Sequence, residues 1–373
     1  MKKTLAAVAV LGAFAGSALA ADVTLYGRVD LGLQYVHQDD KGTKSDNWGL
    51  QSGDATSSRF GIKGQEEIAE GVIVGFQLEQ GFNADDGTNS DNTRAFSRES
   101  RLYVTTDYGT LHMGRFGALD SGTGSVDVAA GFTASGTGYG TNINDQSRVL
   151  NTNTTRFDNA IAYTSPEFAG MTFHAMASLG SDYDGADLVG DDKLEVLPGK
   201  EGSSDVDRYY GLGVTGQWGN FGAGLVVSQL DFGHNESYLA DENALNVTGG
   251  VNYDFGVAKV FLAANYYKGG EAFDKFDSDV IGEDLSQWGV SLSASAPLVG
   301  GTFETAVGYA VGTDDAKASD ADERKVFNIG AMYKYPLSKR TYIYAGAGYD
   351  QVEDFDGEKI KTTEVISGLV HQF

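Results

Sequence analysis

Apolar and polar residues alternate with period two through Val23–Tyr35. One parity carries Val23, Leu25, Gly27, Val29, Leu31, Leu33 and Tyr35; the other carries Thr24, Tyr26, Arg28, Asp30, Gly32 and Gln34. Successive side chains of an extended chain point to opposite faces, so this stretch predicts a strand with one oily and one polar side. The alternation returns in Phe221–Asp231, Ala244–Asp254, Ala258–Lys268, Leu285–Ala296, Thr302–Gly312, Val326–Tyr335 and Thr341–Asp350. The connectors alternate in length. Short ones (Asp107–Gly109, Trp218–Asn220, Pro336–Ser338) follow long acidic ones (Asn83–Thr93, Ser181–Asp205, Gly269–Asp284, Thr313–Glu323).

Counted in this way, the chain holds sixteen candidate strands, the first near Val23 and the last ending at Phe373. An even number of strands about ten residues long, with short turns on one side and long loops on the other, predicts an all-β, 16-stranded antiparallel transmembrane β-barrel. A β-sandwich also alternates, but it rarely runs to so many strands and leaves edges to protect. Closure removes the edges and satisfies every backbone group in lipid. Tyr26, Tyr35, Phe76, Phe82, Tyr163, Phe173, Tyr253, Tyr266, Tyr309, Tyr335 and Tyr349 lie toward strand ends, where girdles at two membrane interfaces would use them. In the final strand Val365, Ser367, Leu369, His371 and Phe373 share one parity, which places the terminal aromatic on the lipid-facing side.

Composition changes the picture in three places. Met1–Lys3 is basic, Leu5–Leu19 is apolar and Ala18-Leu19-Ala20 is a small-residue cleavage site, the order of a bacterial secretory signal. Residues 1–20 are therefore expected to be removed, leaving 21–373 as one barrel domain. The net charge of −25, more negative still without Lys2 and Lys3, argues against nucleic acid as a partner. The absence of cysteine excludes disulfide staples and thiolate metal sites. Hydropathy alone would make the chain soluble; the strand pattern overrides that.

The stretches DVTLYGRVDLGLQYV, SSRFGIKGQEEI and YGTLHMGRFGALDSGTGS, with the terminal GLVHQF, resemble the general diffusion porins of Gram-negative outer membranes. The resemblance covers the whole of residues 21–373. It implies a passive, water-filled channel for small hydrophilic solutes and ions in the cell outer membrane. It also implies a homotrimer, contact with outer-membrane lipid and lipopolysaccharide, and a third loop folded inward as a constriction. Phe373 is similar to the family's terminal aromatic, which the barrel-assembly machinery reads as an assembly signal.

Such a channel works by hole size and field. Arg28 and Arg59 share the polar parity of their strands and are expected in the lumen; both match basic positions of the family's pore wall, as do Arg98 or Arg101, Arg115 and Arg156. Arg98 and Arg101 differ by three, so one strand cannot aim both inward. The apolar Leu102 and Val104 favour Arg101, the family pattern favours Arg98, and the two stay open at this point. The longest connector, 117–155, is rich in glycine and alanine, which suits close packing inside a barrel. Its Asp120 and Asp127 are the candidates for the acidic side of the constriction. Carboxylates facing guanidiniums across a narrow aqueous gap set up a transverse field that orders water. Acidic loops at the mouth and arginines at the narrowest point pull in opposite directions, and weak cation selectivity is the expected balance.

No G-x-S-x-G, P-loop or H-E-x-x-H motif occurs, and His37, His112, His174, His234 and His371 lack ligand spacing, so no catalytic residue, cofactor or metal is expected. The acidic runs Asp182–Asp192 and Asp314–Asp322 lack a complete EF-hand pattern and read as solvated external loops sharing divalent cations with lipopolysaccharide. Two further functions fit the strand pattern: a substrate-specific channel, marked by saturable block with one solute, and a barrel-anchored adhesin, marked by the absence of conductance.

Overall fold

Seventeen strand segments hydrogen-bond in sequence around one closed antiparallel sheet. The computed structural model describes residues 23–140, 143–144, 146–150, 156–180, 208–231, 243–269, 285–314 and 323–373. The expected signal segment and most of the acidic connectors, including nearly all of both acidic runs, lie outside these residues.

The seventeen segments make a sixteen-strand wall because β2 (Thr43–Ser52) and β3 (Arg59–Ala69) are two halves of one descending strand. Both pair with β1 (Thr24–Asp40), β2 with its upper part from Leu31 and β3 with its lower part up to Arg28. Residues 53–58 fold off the wall between them. The Ser58 hydroxyl donates to the Asp30 carbonyl, as does the Gly53 N–H, so the break is tied back to β1.

From β4 (Val72–Gly81) onward each strand pairs with the next: β5 (Glu99–Thr106), β6 (Gly109–Gly117), β7 (Arg156–Thr164), β8 (Met171–Ser178), β9 (Arg208–Trp218) and β10 (Phe221–Asp231). The series continues through β11 (Ala244–Asp254), β12 (Lys259–Lys268), β13 (Leu285–Leu298), β14 (Gly301–Asp314), β15 (Glu323–Ser338) and β16 (Thr341–Glu353) to β17 (Lys359–Gln372). The turn expected at Pro336–Ser338 falls at 339–340 instead; the strand runs on through a bulge beside Pro336, a position where a proline can sit in a sheet.

β17 closes the barrel on β1 with Arg28 opposite Gln372 and Asp40 opposite Ile360. One residue below, the Gly27 and Phe373 backbones exchange two hydrogen bonds of 3.0 Å. Gly27 carries no side chain on this face, and the Phe373 ring lies over it. A Cβ there would stand 2.9 Å from Phe373 Cε2.

The outward face is apolar: Leu33, Leu102, Leu212, Leu225, Leu262, Leu292 and Leu369 are all exposed. Outward aromatics gather in two belts. Phe173, Trp218, Phe221, Tyr253 and Tyr335 stand at the short-turn end, and Tyr210, Tyr266, Trp288 and Tyr309 at the long-loop end. Tyr26 departs from the girdle expectation. It turns inward, because its hydroxyl donates to Glu79 at 3.0 Å and accepts from Gln77 at 2.8 Å.

Candidate functional site: the arginine wall and the inward loop

The inner faces of β1 to β7 carry a ladder of arginines. Arg28 on β1 stands opposite Arg59 on β3 and donates to Thr56 Oγ1 at 2.9 Å. Arg59 and Arg98 converge on one carboxylate, Glu79 of β4, at 3.5 and 2.8 Å. Arg101 of β5 pairs with Glu99 at 3.3 Å and donates to Gln77 Oε1 at 2.9 Å. Arg115 of β6 donates to Asp158 Oδ1 of β7 at 2.8 Å, and Arg94 reaches the other oxygen of Asp158 at 3.2 Å. Arg156 opens β7 and makes no ion pair among the described residues; its Nε is buried without an acceptor.

Arg98 and Arg101, left open by the sequence, both pair with carboxylates of the inner wall. Both reach the lumen. Arg101 does so by strand parity, with Leu102 exposed on the other face, whereas Arg98 precedes β5 and is free of that parity. Glu79, Glu99 and Asp158 were missed in the sequence. A signal existed for the first, since Gln77 and Glu79 share one parity of β4 while Phe76 and Leu78 share the other.

The described residues between 118 and 150 turn into the barrel and mainly follow the inner wall from β9 to β17, but Ser125 also touches the arginine side, its N–H donating to Glu99 at 3.0 Å and its hydroxyl to Gln77 at 3.3 Å. Contact begins at Asp120, which is 1 % exposed and accepts from the Tyr209 hydroxyl at 2.9 Å, Ser228 Oγ at 2.5 Å and Asn246 Nδ2 at 2.8 Å. Asp120, expected on the acidic side of the constriction, is held against the wall by three donors from three strands. Asp127 also turns back into its own loop, accepting the N–H groups of Gly122 at 2.8 Å, Ala129 at 3.2 Å and Ala130 at 2.8 Å. Burial pushes its carboxyl up to about 7, against the pull of those three donors.

Further along, the Ala134 N–H donates to Ser293 Oγ at 2.9 Å and the Ala306 N–H to Asn144 Oδ1 at 3.1 Å. Arg148 pairs with Asp350 at 3.0 Å. The Tyr139 hydroxyl, whose ionisation is suppressed by burial and by Glu304, donates to Glu304, and Lys334 holds the same carboxylate at 3.1 Å. Glycines on the inner wall admit the loop. A Cβ on Gly250 would stand 2.7 Å from Phe132, on Gly308 2.7 Å from Val149, and on Gly330 2.8 Å from the Asn144 nitrogen.

A closed barrel, apolar outside and charged inside, with a long connector packed within it, defines a transmembrane channel. The sequence profile of the Gram-negative porins matches residues 6–354. An outer membrane porin protein of Bordetella pertussis is 30% identical over 100% of both chains. Outer membrane porin protein 32 of Delftia acidovorans is 31% identical over 99% of this chain and 95% of its own. Among solved structures, the anion-selective porin from Comamonas acidovorans shares the fold with a TM-score of 0.65 at 24% identity, covering 94% of this chain and 99% of that one. The chain belongs to the Gram-negative porin family. It is an outer-membrane porin, and its function is passive diffusion through the barrel.

Proposed function

We propose that the inward loop and the arginine wall together form the constriction of this channel, and that the channel is weakly cation-selective. The observation that carries the reading is their placement: the loop packs mainly on the β9–β17 side, and it meets the arginine side at Ser125, whose N–H donates to Glu99, and at Gly140, whose N–H donates to the Asp54 carbonyl near Arg28. Glu79, Glu99 and Asp158 offset much of the guanidinium charge locally, which supports a muted field at the narrowest point. The acidic connectors, expected from the sequence to lie at the mouth, would then raise cation concentration within a Debye length of about 10 Å at 0.1 M salt. Arg28 and Arg156, which pair with no carboxylate side chain among the described residues, favour a second reading, anion preference, the property named for the Comamonas acidovorans porin. Reversal potentials across a salt gradient separate the two. A cation preference that fades as salt rises supports the first; an anion preference overturns it.

The same reading includes a homotrimer. β2 pairs with β1 along one edge, and its other edge has no strand partner among the described residues. Trp48 and Leu50, on its outward face, are 77% and 51% exposed. An open sheet edge facing lipid leaves backbone groups unsatisfied, so a neighbouring subunit is the fitting cover. Cross-linking and native mass measurement in detergent should give three chains; a stable monomer would remove the trimer and leave the channel. Contact of the acidic loops with lipopolysaccharide through divalent cations, and reading of Phe373 by the barrel-assembly machinery, belong to the same proposal.

A further inference from the structure

Three carboxyl groups from three elements meet where the inward loop reaches its far end. Asp54 belongs to the break between β2 and β3, Asp30 to β1 and Glu364 to β17. The loop arrives at Gly140, whose N–H donates to the Asp54 carbonyl oxygen at 2.7 Å. Gly140 has a φ of +56° and lies against Glu364, where a Cβ would collide with the carboxylate. Glycine is therefore required there twice over, for conformation and for space.

The three carboxyls differ in what they bond. Asp30 accepts the Ala55 and Thr56 N–H groups at 2.7 and 2.8 Å and the Tyr344 hydroxyl at 2.7 Å. Glu364 accepts Gln34 Nε2 at 2.6 Å. Asp54 is 4 % exposed, and its Oδ2 meets no donor. Arg28, the cation on this side, donates to Thr56 rather than to Asp54. Tyr344 of β16 is within electrostatic reach of Asp54, and the neighbouring Ala55 packs against the cluster that holds Tyr344 and Tyr139 of the loop. A carboxylate buried beside two like charges, with one oxygen unbonded, is unfavourable, and a proton on it removes the conflict.

We propose that Asp54 carries a proton that locks the far end of the inward loop to the strand break, and that loss of this proton loosens the loop from the wall. Burial, reinforced by Glu364 and Asp30, pushes the Asp54 carboxyl up from 3.8 to about 7. An undocked, solvated Asp54 would titrate near the ordinary value of about 3.9. The docked state therefore binds the extra proton between those two values. Docking is strongest below about pH 4, weakens as pH rises toward about 7, and stays at its weaker level above that. The consequence for conductance rests on the loop narrowing the lumen; the docking itself does not.

The test is hydrogen exchange on the refolded protein in detergent, following the peptide that contains Gly140 from pH 5 to pH 8 with the intrinsic rate divided out. Protection should fall on the order of tenfold or more across that range. In Asp54→Asn, which mimics the protonated side chain, protection should stay at its acidic level throughout. Glu364→Gln removes a neighbouring charge and should move the midpoint down by about one pH unit; it decides the matter alone if Asp54→Asn does not fold. Equal pH responses in the parent and Asp54→Asn, or an unmoved midpoint in Glu364→Gln, overturn the proposal. Single-channel noise recorded in parallel separates it from the constriction reading. If exchange responds to pH and the current does not, the latch stands and the loop does not set the pore.

Discussion

At Asp120, donors from β9, β10 and β11 converge on one carboxylate. Asp120→Ala leaves Tyr209, Ser228 and Asn246 without their shared acceptor and should destabilise the folded barrel by about 3 kcal/mol or more, read as a lower unfolding midpoint in denaturant. Asp120→Asn keeps an acceptor and should cost less; equal losses would mean that the contact is not an anchor. The arginines differ among themselves in the same way. Arg59 shares Glu79 with Arg98, whereas Arg156 pairs with no carboxylate among the described residues. Arg156→Gln should therefore raise cation preference more than Arg59→Gln, and the double variant should raise both conductance and preference, as reversal potentials would show. No shift in the double variant would place the controlling charges elsewhere. Parity in the sequence was enough to aim Arg28 and Arg59 inward, because each sits in an alternating run. It could not place Asp120 or Asp127, since a loop has no parity and its contacts are decided by which wall it meets.

At the level of elements, β10 and β11 run from Phe221 to Asp231 and from Ala244 to Asp254, the limits legible in their alternation. The division of the second wall strand into β2 and β3 was not legible. Only the pairing of both halves with β1 shows that the wall resumes after residues 53–58. The inner-wall glycines are the counterpart of the loop. Replacing Gly250 with leucine would put a side chain where Phe132 sits and should push the loop from the wall. Limited proteolysis of the folded barrel should then cut within residues 118–155, where the parent resists; continued resistance would count against the glycine track. At the seam, deleting Phe373 removes two backbone hydrogen bonds to Gly27 and the ring above it. Secretion should continue while the yield of protease-resistant barrel falls; an unchanged yield would separate Phe373 from assembly.

Over the whole molecule the charge is sorted by position. The lumenal arginines are matched in large part by wall carboxylates, while the strongly acidic connectors 181–207, 232–242, 270–284 and 315–322 carry much of the excess negative charge. Strand alternation gave the barrel, because a face in lipid and a face in water write themselves into every strand. The path of the inward loop was beyond its reach, since that path depends on side chains from strands far apart in sequence. What makes this barrel a channel is an open aqueous path narrowed by that loop. Recording single channels of the purified, refolded protein in planar bilayers tests it most directly, in the parent and in a variant with the loop shortened between Asp120 and Arg148. The prediction is discrete steps whose conductance grows with salt without saturating, and larger steps when the loop is shortened. An absence of steps, or steps of the same size in both proteins, would contradict it.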